Sequence, residues 1–291
     1  MKKIAFISLL CCLTIGLAHA AQEPRPLPLH VQKMNPATRL GWMYYRGIGT
    51  KRNYKKAYHW FEQGAVAGDT QALFFRASML QRGRGVKKDE PRSFAIFYDL
   101  ATKYASPQAA FQLSIAYEKG IGCETDPLSS QYWLNFAAEN AVAPAQLKKG
   151  LSLLETKPLE SFYWIEKAAE NPHFRWAQYQ LALLYANGIG VKKDIPQALN
   201  LMQQTAQRGL PKAQWQLAQW YEQGLNGTAD TKQAFDWTLK AAQNGVLEAQ
   251  YRISQMYRDG YGTPVNLKEA KRWEKKAATT AKKPTRNEEF Y

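Results

Sequence analysis

The chain has 291 residues, a net charge of +15 and three cysteines. Cys11 and Cys12 lie in an N-terminal apolar run, so a chain processed after Ala20 keeps only Cys123 and has no internal disulfide. None of His30, His59 and His173 stands at metal-ligand spacing from a second histidine or from Cys123, so the sequence carries no metal signature.

Lys2 and Lys3 precede an apolar stretch from Ile4 to Leu17, and Ala-His-Ala ends at Ala20. A charged start, a short apolar run and a small-x-small site have the order of a secretory signal peptide. The run is too short for a membrane span. Export over residues 1–20 is therefore expected, into the periplasm or, as the alternative, out of the cell. Loss of Lys2 and Lys3 takes the charge from +15 to +13. Residues 21–34 include AQEPRPLPLH and read as an extended, proline-rich segment.

From there a turn recurs. YRGIGTKRN begins at Tyr45, QRGRGVKKD at Gln81, EKGIGCETD at Glu118, YANGIGVKKD at Tyr185, EQGLNGTAD at Glu222 and RDGYGTPVN at Arg258. Their first glycines are Gly47, Gly83, Gly120, Gly188, Gly224 and Gly260, with gaps of 36, 37, 68, 36 and 36. A phosphate loop occurs once per nucleotide domain and follows a strand. A fixed period of this size marks stacked helical hairpins instead.

Each period reads as two helices. Ala177, Leu181, Ala182, Leu184 and Tyr185 share one helical face, and Gly188 is placed to end that helix. Gly41, Ala77, Ser114, Ala182, Ala218 and Ser254 are the small residues that let a second helix approach. Asp194 is placed to cap the next helix, with Pro196 in its first turn. Trp60, Trp133, Trp164, Trp237 and Trp273 of the second helices are expected in the core beside small residues.

The gap of 68 hides an altered fourth hairpin at Ala145–Asn171, where PLESFYWIEKAAEN echoes the earlier PLSSQYWLNFAAEN. It lacks the Gly-x-Gly turn, and Lys149 stands where leucine is usual. The expectation is an all-α, right-handed α-solenoid superhelix of about seven hairpins over residues 35–279, shortened at 145–171. Residues 280–291 are expected as a flexible tail.

These residues resemble the Sel-1-like repeat family, relatives of the tetratricopeptide repeats. The shared pattern runs Ala-x3-Leu-Gly/Ala-x2-Tyr-x2-Gly-x-Gly, then Ala-x2-Trp and a closing Ala-Ala-x2-Gly. AQYQLALLYANGIGVKKDIPQALNLMQQTAQRG at Ala177–Gly209 follows it except for Leu201 in place of tryptophan. The resemblance implies an adaptor without a cofactor that binds a protein or peptide in the cell envelope, in assembly, secretion or host interaction. A cysteine-rich branch of the family implies a cell-wall-associated enzyme or a peptidoglycan- or β-lactam-binding protein, but its paired cysteines are absent here.

No serine after the leader has a lysine at Ser-x-x-Lys spacing, so the sequence offers no catalytic pair of that kind. The expectation is a non-enzymatic chain with no transmembrane segment after leader removal and no nucleic-acid partner. By analogy with tetratricopeptide geometry, Phe74, Phe111, Tyr179, Trp215 and Tyr251 on the first helices face a concave groove, joined by Trp42, Ile115 and Leu183. The same rings also suit packing between hairpins, and both readings stand. The alternative surface is the basic turn edge, Lys51, Lys87, Lys88, Lys192 and Lys193, suited to an acidic protein or an anionic glycan.

Overall fold

A computed structural model describes residues 34–225 and 227–282. The expected leader and nearly all of the proline-rich segment lie outside the described residues, as does the chain from residue 283. Fourteen helices and no strands make up the described residues. In order they are α1 (Pro36–Arg46), α2 (Tyr54–Val66), α3 (Thr70–Arg82), α4 (Glu90–Lys103), α5 (Pro107–Lys119), α6 (Pro127–Glu139) and α7 (Ala143–Ser152). Then come α8 (Pro158–Ala169), α9 (Arg175–Asn187), α10 (Ile195–Gln207), α11 (Pro211–Gln223), α12 (Thr231–Gln243), α13 (Leu247–Asp259) and α14 (Leu267–Ala281). Each helix packs on the one before and the one after, giving an α-solenoid of seven hairpins. The last helix runs two residues beyond the end expected from the sequence.

Local chemistry sets these boundaries. Asn53, Asp89, Asp126, Asp194, Asp230 and Asn266 cap second helices, each accepting a backbone N–H in the first turn. Gly188 ends α9 in the left-handed conformation, at φ 71°. The shortened hairpin has neither device. Its α7 ends on Leu153 in right-handed geometry, and Lys157 before α8 supplies no side-chain cap.

Within a hairpin, the small positions control how closely the helices approach. A Cβ at Gly41 would lie 2.6 Å from the Phe61 ring, and one at Gly150 would lie 2.6 Å from Ile165. Ser93, Ser130 and Ser254 each donate a hydroxyl across the hairpin to a backbone carbonyl at 2.8–2.9 Å. Between hairpins, buried Gln146, Gln214 and Gln250 donate to the carbonyls of Ala138, Ala206 and Ala242, each at 3.1 Å. Those carbonyls lie in the last turns of second helices, where intrahelical partners run out. Trp133, Trp237 and Trp273 are buried as expected, and Trp60 and Trp164 are partly buried.

Four junctions carry a further lock. At these the second glycine of the turn sits against the start of the preceding second helix. A Cβ at Gly85, Gly122, Gly190 or Gly262 would fall 2.0–2.3 Å from the carbonyl oxygen of Tyr54, Glu90, Pro158 or Thr231. Only glycine permits that backbone-to-backbone approach. Beside it, an aromatic pair closes three of these joints: Phe94–Tyr117, Phe162–Tyr185 and Phe235–Tyr257, with ring centroids 5.2–5.5 Å apart.

Candidate functional site: the face of the first helices

The aromatic column divides on inspection. Phe111 and Tyr179 are buried, at 3% and 5% exposure, and each belongs to a hydrophobic core cluster. They are core residues, which corrects their reading as groove anchors. Phe111 is covered because Val142 and Ala145 of the next hairpin belong to the same cluster. Phe74 is partly buried, with its ring centroid 5.4 Å from that of Phe97. Trp215 is also partly buried, packed between two clusters. Tyr251 is exposed, and no further hairpin covers it among the described residues.

The outward stripe of the first helices lies one residue further round. On α5 it is Gln112, Ile115 and Lys119. With Gln81 and Arg82 of α3, Glu90 and Ile121, these residues line a cleft of about 210 Å³. A second cleft of about 310 Å³ opens at the other end of the same helix pair, lined by Met34, Thr70, Gln71, Phe74, Phe75, Ser106 and Gln108. Trp42 and Leu183 occupy the Ile115 position in the first and fifth hairpins and are partly buried. The Arg46 guanidinium lies 5.8 Å from the centre of the Trp42 ring. Sequence reasoning found Phe74 and Ile115 but missed Gln81, Gln112 and Lys119. The i, i+3, i+7 spacing of Gln112, Ile115 and Lys119 was the available signal.

Two cations take the usual leucine position of a first helix. Lys149 does not expose its apolar stem. Its side chain is 14% exposed, and its ammonium lies 4.1 Å from the Trp164 ring centre and 3.5 Å from Glu139. Arg76 stands at the same register in α3, partly buried, with its Nε buried and without a hydrogen-bond partner.

The basic turn edge is interrupted. Lys51, Lys87, Lys88, Lys192 and Lys193 are all exposed, and Lys88 pairs with Glu90 at 2.7 Å. At the matching positions the third hairpin carries Glu124 and Thr125, the sixth Thr228 and Ala229, and the seventh Pro264 and Val265. Cys123 sits in the third of these turns as a free, partly buried thiol, and burial pushes its pKa above the ordinary value. No group of three His, Cys, Asp or Glu side chains positioned for a metal occurs among the described residues, and no described helix is long and apolar enough to cross a membrane.

Comparison with known proteins agrees with this architecture. The Sel1 repeat profile matches at residues 37–69, 70–98, 107–142, 147–173, 177–210, 211–246 and 247–279, including the shortened fourth hairpin. The structure of c5321, a protective antigen present in uropathogenic Escherichia coli strains and displaying an SLR fold, is 29% identical with a TM-score of 0.65. That match covers 84% of this chain and 53% of the antigen. A Sel1 repeat protein from Oxalobacter formigenes is 26% identical with a TM-score of 0.66, covering 85% of this chain and 72% of the other. Chitin synthase regulatory factor 3 of Schizosaccharomyces pombe is 29% identical over 188 residues, which are 60% of this chain and 20% of that protein. The chain thus spans about half of the Escherichia coli antigen and a fifth of the yeast factor. With seven matched repeats along most of its length, the chain belongs to the Sel1 repeat family.

Proposed function

We propose that the chain is an exported, non-enzymatic adaptor that holds a protein partner in the cell envelope along the face of its first helices. The observation that carries this reading is the pair of clefts between α3 and α5, which place aromatic, amide and charged side chains on one continuous surface. A rigid surface of this kind suits an extended or helical segment of another protein. Family membership supports a scaffold role. The charged, apolar and small-residue order of residues 1–20 supports export to the periplasm. The Escherichia coli relative is a protective antigen, which agrees with a place outside the cytoplasm.

Capture from envelope extract by the immobilised chain, followed by identification of the retained protein, tests the proposal. Ile115→Asp and Gln112→Ala together should weaken capture at least about tenfold, the scale of a central interface contact. Ile115 also packs against the core cluster around Phe111, so melting is measured alongside and the loss of capture is read on the folded fraction. Undiminished capture by this double variant would remove the α3–α5 face from the site. Capture lost instead on charge reversal of Lys51, Lys87 and Lys192, and falling steeply with salt, would move it to the turn edge.

A further inference from the structure

The second helices carry a surface that folding does not require. On α6, Leu128, Tyr132, Asn135 and Glu139 stand at i, i+4, i+7 and i+11, one outward stripe. On α8 the same stripe reads Leu159, Tyr163, Glu166 and Glu170, the last being the residue that closes the helix. Leu128 is 83% exposed, Tyr132 62%, Leu159 76% and Tyr163 50%. At the first two stripe positions the other second helices carry Lys55 and His59, Pro91 and Ala95, Pro196 and Asn200, Lys232 and Asp236, and Lys268 and Arg272. The paired leucine and tyrosine are therefore particular to α6 and to α8, the second helices on either side of α7. Rings extend the apolar surface toward α4: Tyr132 lies 5.0 Å and exposed Tyr98 6.4 Å from Trp133, centre to centre.

This surface lies in the acidic part of a basic molecule. Residues 105–170 hold eight Asp and Glu against five Lys and Arg, whereas residues 34–104 hold five against thirteen. Residues 247–282 hold four against eight. Both stripes pass from apolar to carboxylate toward the helix C-terminus. Some of the acid is matched internally, Glu139 by Lys149 at 3.5 Å and Glu170 by Lys167 at 2.8 Å.

The complement is found at the end of the same chain. Val265 and Leu267 are 61% and 59% exposed at the start of α14. Lys268, Lys271, Arg272, Lys275 and Lys276 follow, and Lys268, Lys271 and Lys275 make no ion pair among the described residues. An apolar start followed by cations mirrors an apolar start followed by carboxylates.

We propose that the outer face of α6 and α8 is the docking site for the α14 edge, Val265–Lys276, of a second copy of this chain. Two different surfaces meet, so the contact is heterologous, and each copy retains one free face and one free edge. The apolar pairs supply the burial, and the opposed charges set the direction of docking.

Sedimentation of the purified chain at increasing concentration tests this. About 0.15 M salt gives a Debye length of about 8 Å and screens the long-range repulsion between basic copies. The wild-type chain should form species larger than a monomer as concentration rises. A face variant, Leu128→Asp with Leu159→Asp, and an edge variant, Lys268→Glu with Lys271→Glu and Lys275→Glu, should each stay monomeric with an unchanged helical spectrum. Mixed in equal amounts, they should form a 1:1 complex and nothing larger, because one keeps its edge and the other its face. A wild-type chain that stays monomeric throughout would overturn the proposal and leave the face to a foreign cationic segment. Failure of the mixture to pair, or assembly of the face variant like wild type, would overturn it equally.

Discussion

The joint between α8 and α9 and the joint between α6 and α7 use the same type of second helix, yet they are built differently. At the first, Gly190 lies against the Pro158 carbonyl and the Phe162 and Tyr185 rings meet at 5.5 Å. At the second, the shortened hairpin has no turn to send back. The residue matching Phe162 is Gln131, which is exposed. α6 and α7 also approach each other over fewer residues than any other consecutive pair of described helices. On α14, the last of the described helices, the matching residue is Lys271, also exposed. At the four glycine-locked joints the receiving residue is aromatic, Tyr58, Phe94, Phe162 or Phe235. At α10, Leu199 lines a cleft with Leu225 of the next turn, whereas Gln131 and Lys271 meet no turn among the described residues. The solenoid holds together by two means: the helix-to-helix packing common to every joint, and the glycine lock present at some.

The comparison breaks most sharply at the lock itself. Gly190→Ala forces a Cβ to 2.0 Å from a backbone oxygen that cannot move without shifting α8. It should cost about 3 kcal/mol or more in thermal or denaturant unfolding. Gly209→Ala is the control, since its φ is also positive, at 83°, but its nearest neighbour is 3.9 Å away. That substitution should cost only about 1 kcal/mol. Equal losses would mean that left-handed strain, not close approach, is what these glycines relieve.

Amide exchange sharpens the comparison next. With no glycine cap on α7, no side-chain cap on α8 and no lock onto α6, the α7–α8 hairpin should exchange roughly tenfold faster than the α9–α10 hairpin. The buried Lys149 stem and its contact with Trp164 oppose that loss. Equal protection of the two hairpins would show that this contact replaces the missing devices.

A smaller effect follows from supplying one of them. Lys157→Asp places a capping carboxylate before α8, as at the other second helices, and should raise stability by about 1 kcal/mol. The Lys157–Glu160 ion pair it removes, 3.0 Å long, is exposed and contributes little. The smallest difference appears in acid. The hydroxyl of Ser129, 2.6 Å from Asp126, and the backbone N–H groups of Ser129 and Leu128 hold the Asp126 carboxyl below the ordinary carboxylate range. Its capping contribution is therefore fully present above the unfolded-state pKa and is lost as pH falls through the lower folded value. Asp126→Asn should flatten that part of the acid titration of stability, whereas the uncapped α8 has nothing there to lose.

The sequence showed the helical class, the seven hairpins and the caps because each rests on local chemistry: Gly188 at a positive φ, Asp194 before Pro196, and small residues under large ones. The altered fourth hairpin was visible as a missing period. Phe111 and Tyr179 were misplaced for a non-local reason. How much of such a ring reaches solvent depends on the following hairpin, and periodicity within one helix does not describe its neighbour. Lys149 misled differently, because its charge suggested a weak face while its four-carbon stem packs like the leucine it replaces. Leu128 and Leu159 were in view within PLSSQYW and PLESFYW, but the echo was read as the sign of a hidden repeat rather than as surface. The role of the second glycine in four of the turns was also missed, since its partner is a carbonyl one hairpin back.

That carbonyl partner has a consequence for how such a molecule can grow. A glycine seated on a peptide oxygen recognises no side chain: Tyr54, Glu90, Pro158 and Thr231 serve alike. The glycine contact is indifferent to the residue beneath it, so a duplicated unit can be spliced behind α2, α4, α8 or α12, where the receiving ring is already in place, without inventing a matching partner. Lengthening by unequal recombination is thus open at four places. It is closed behind α6, where Gln131 and a missing turn would have to change together.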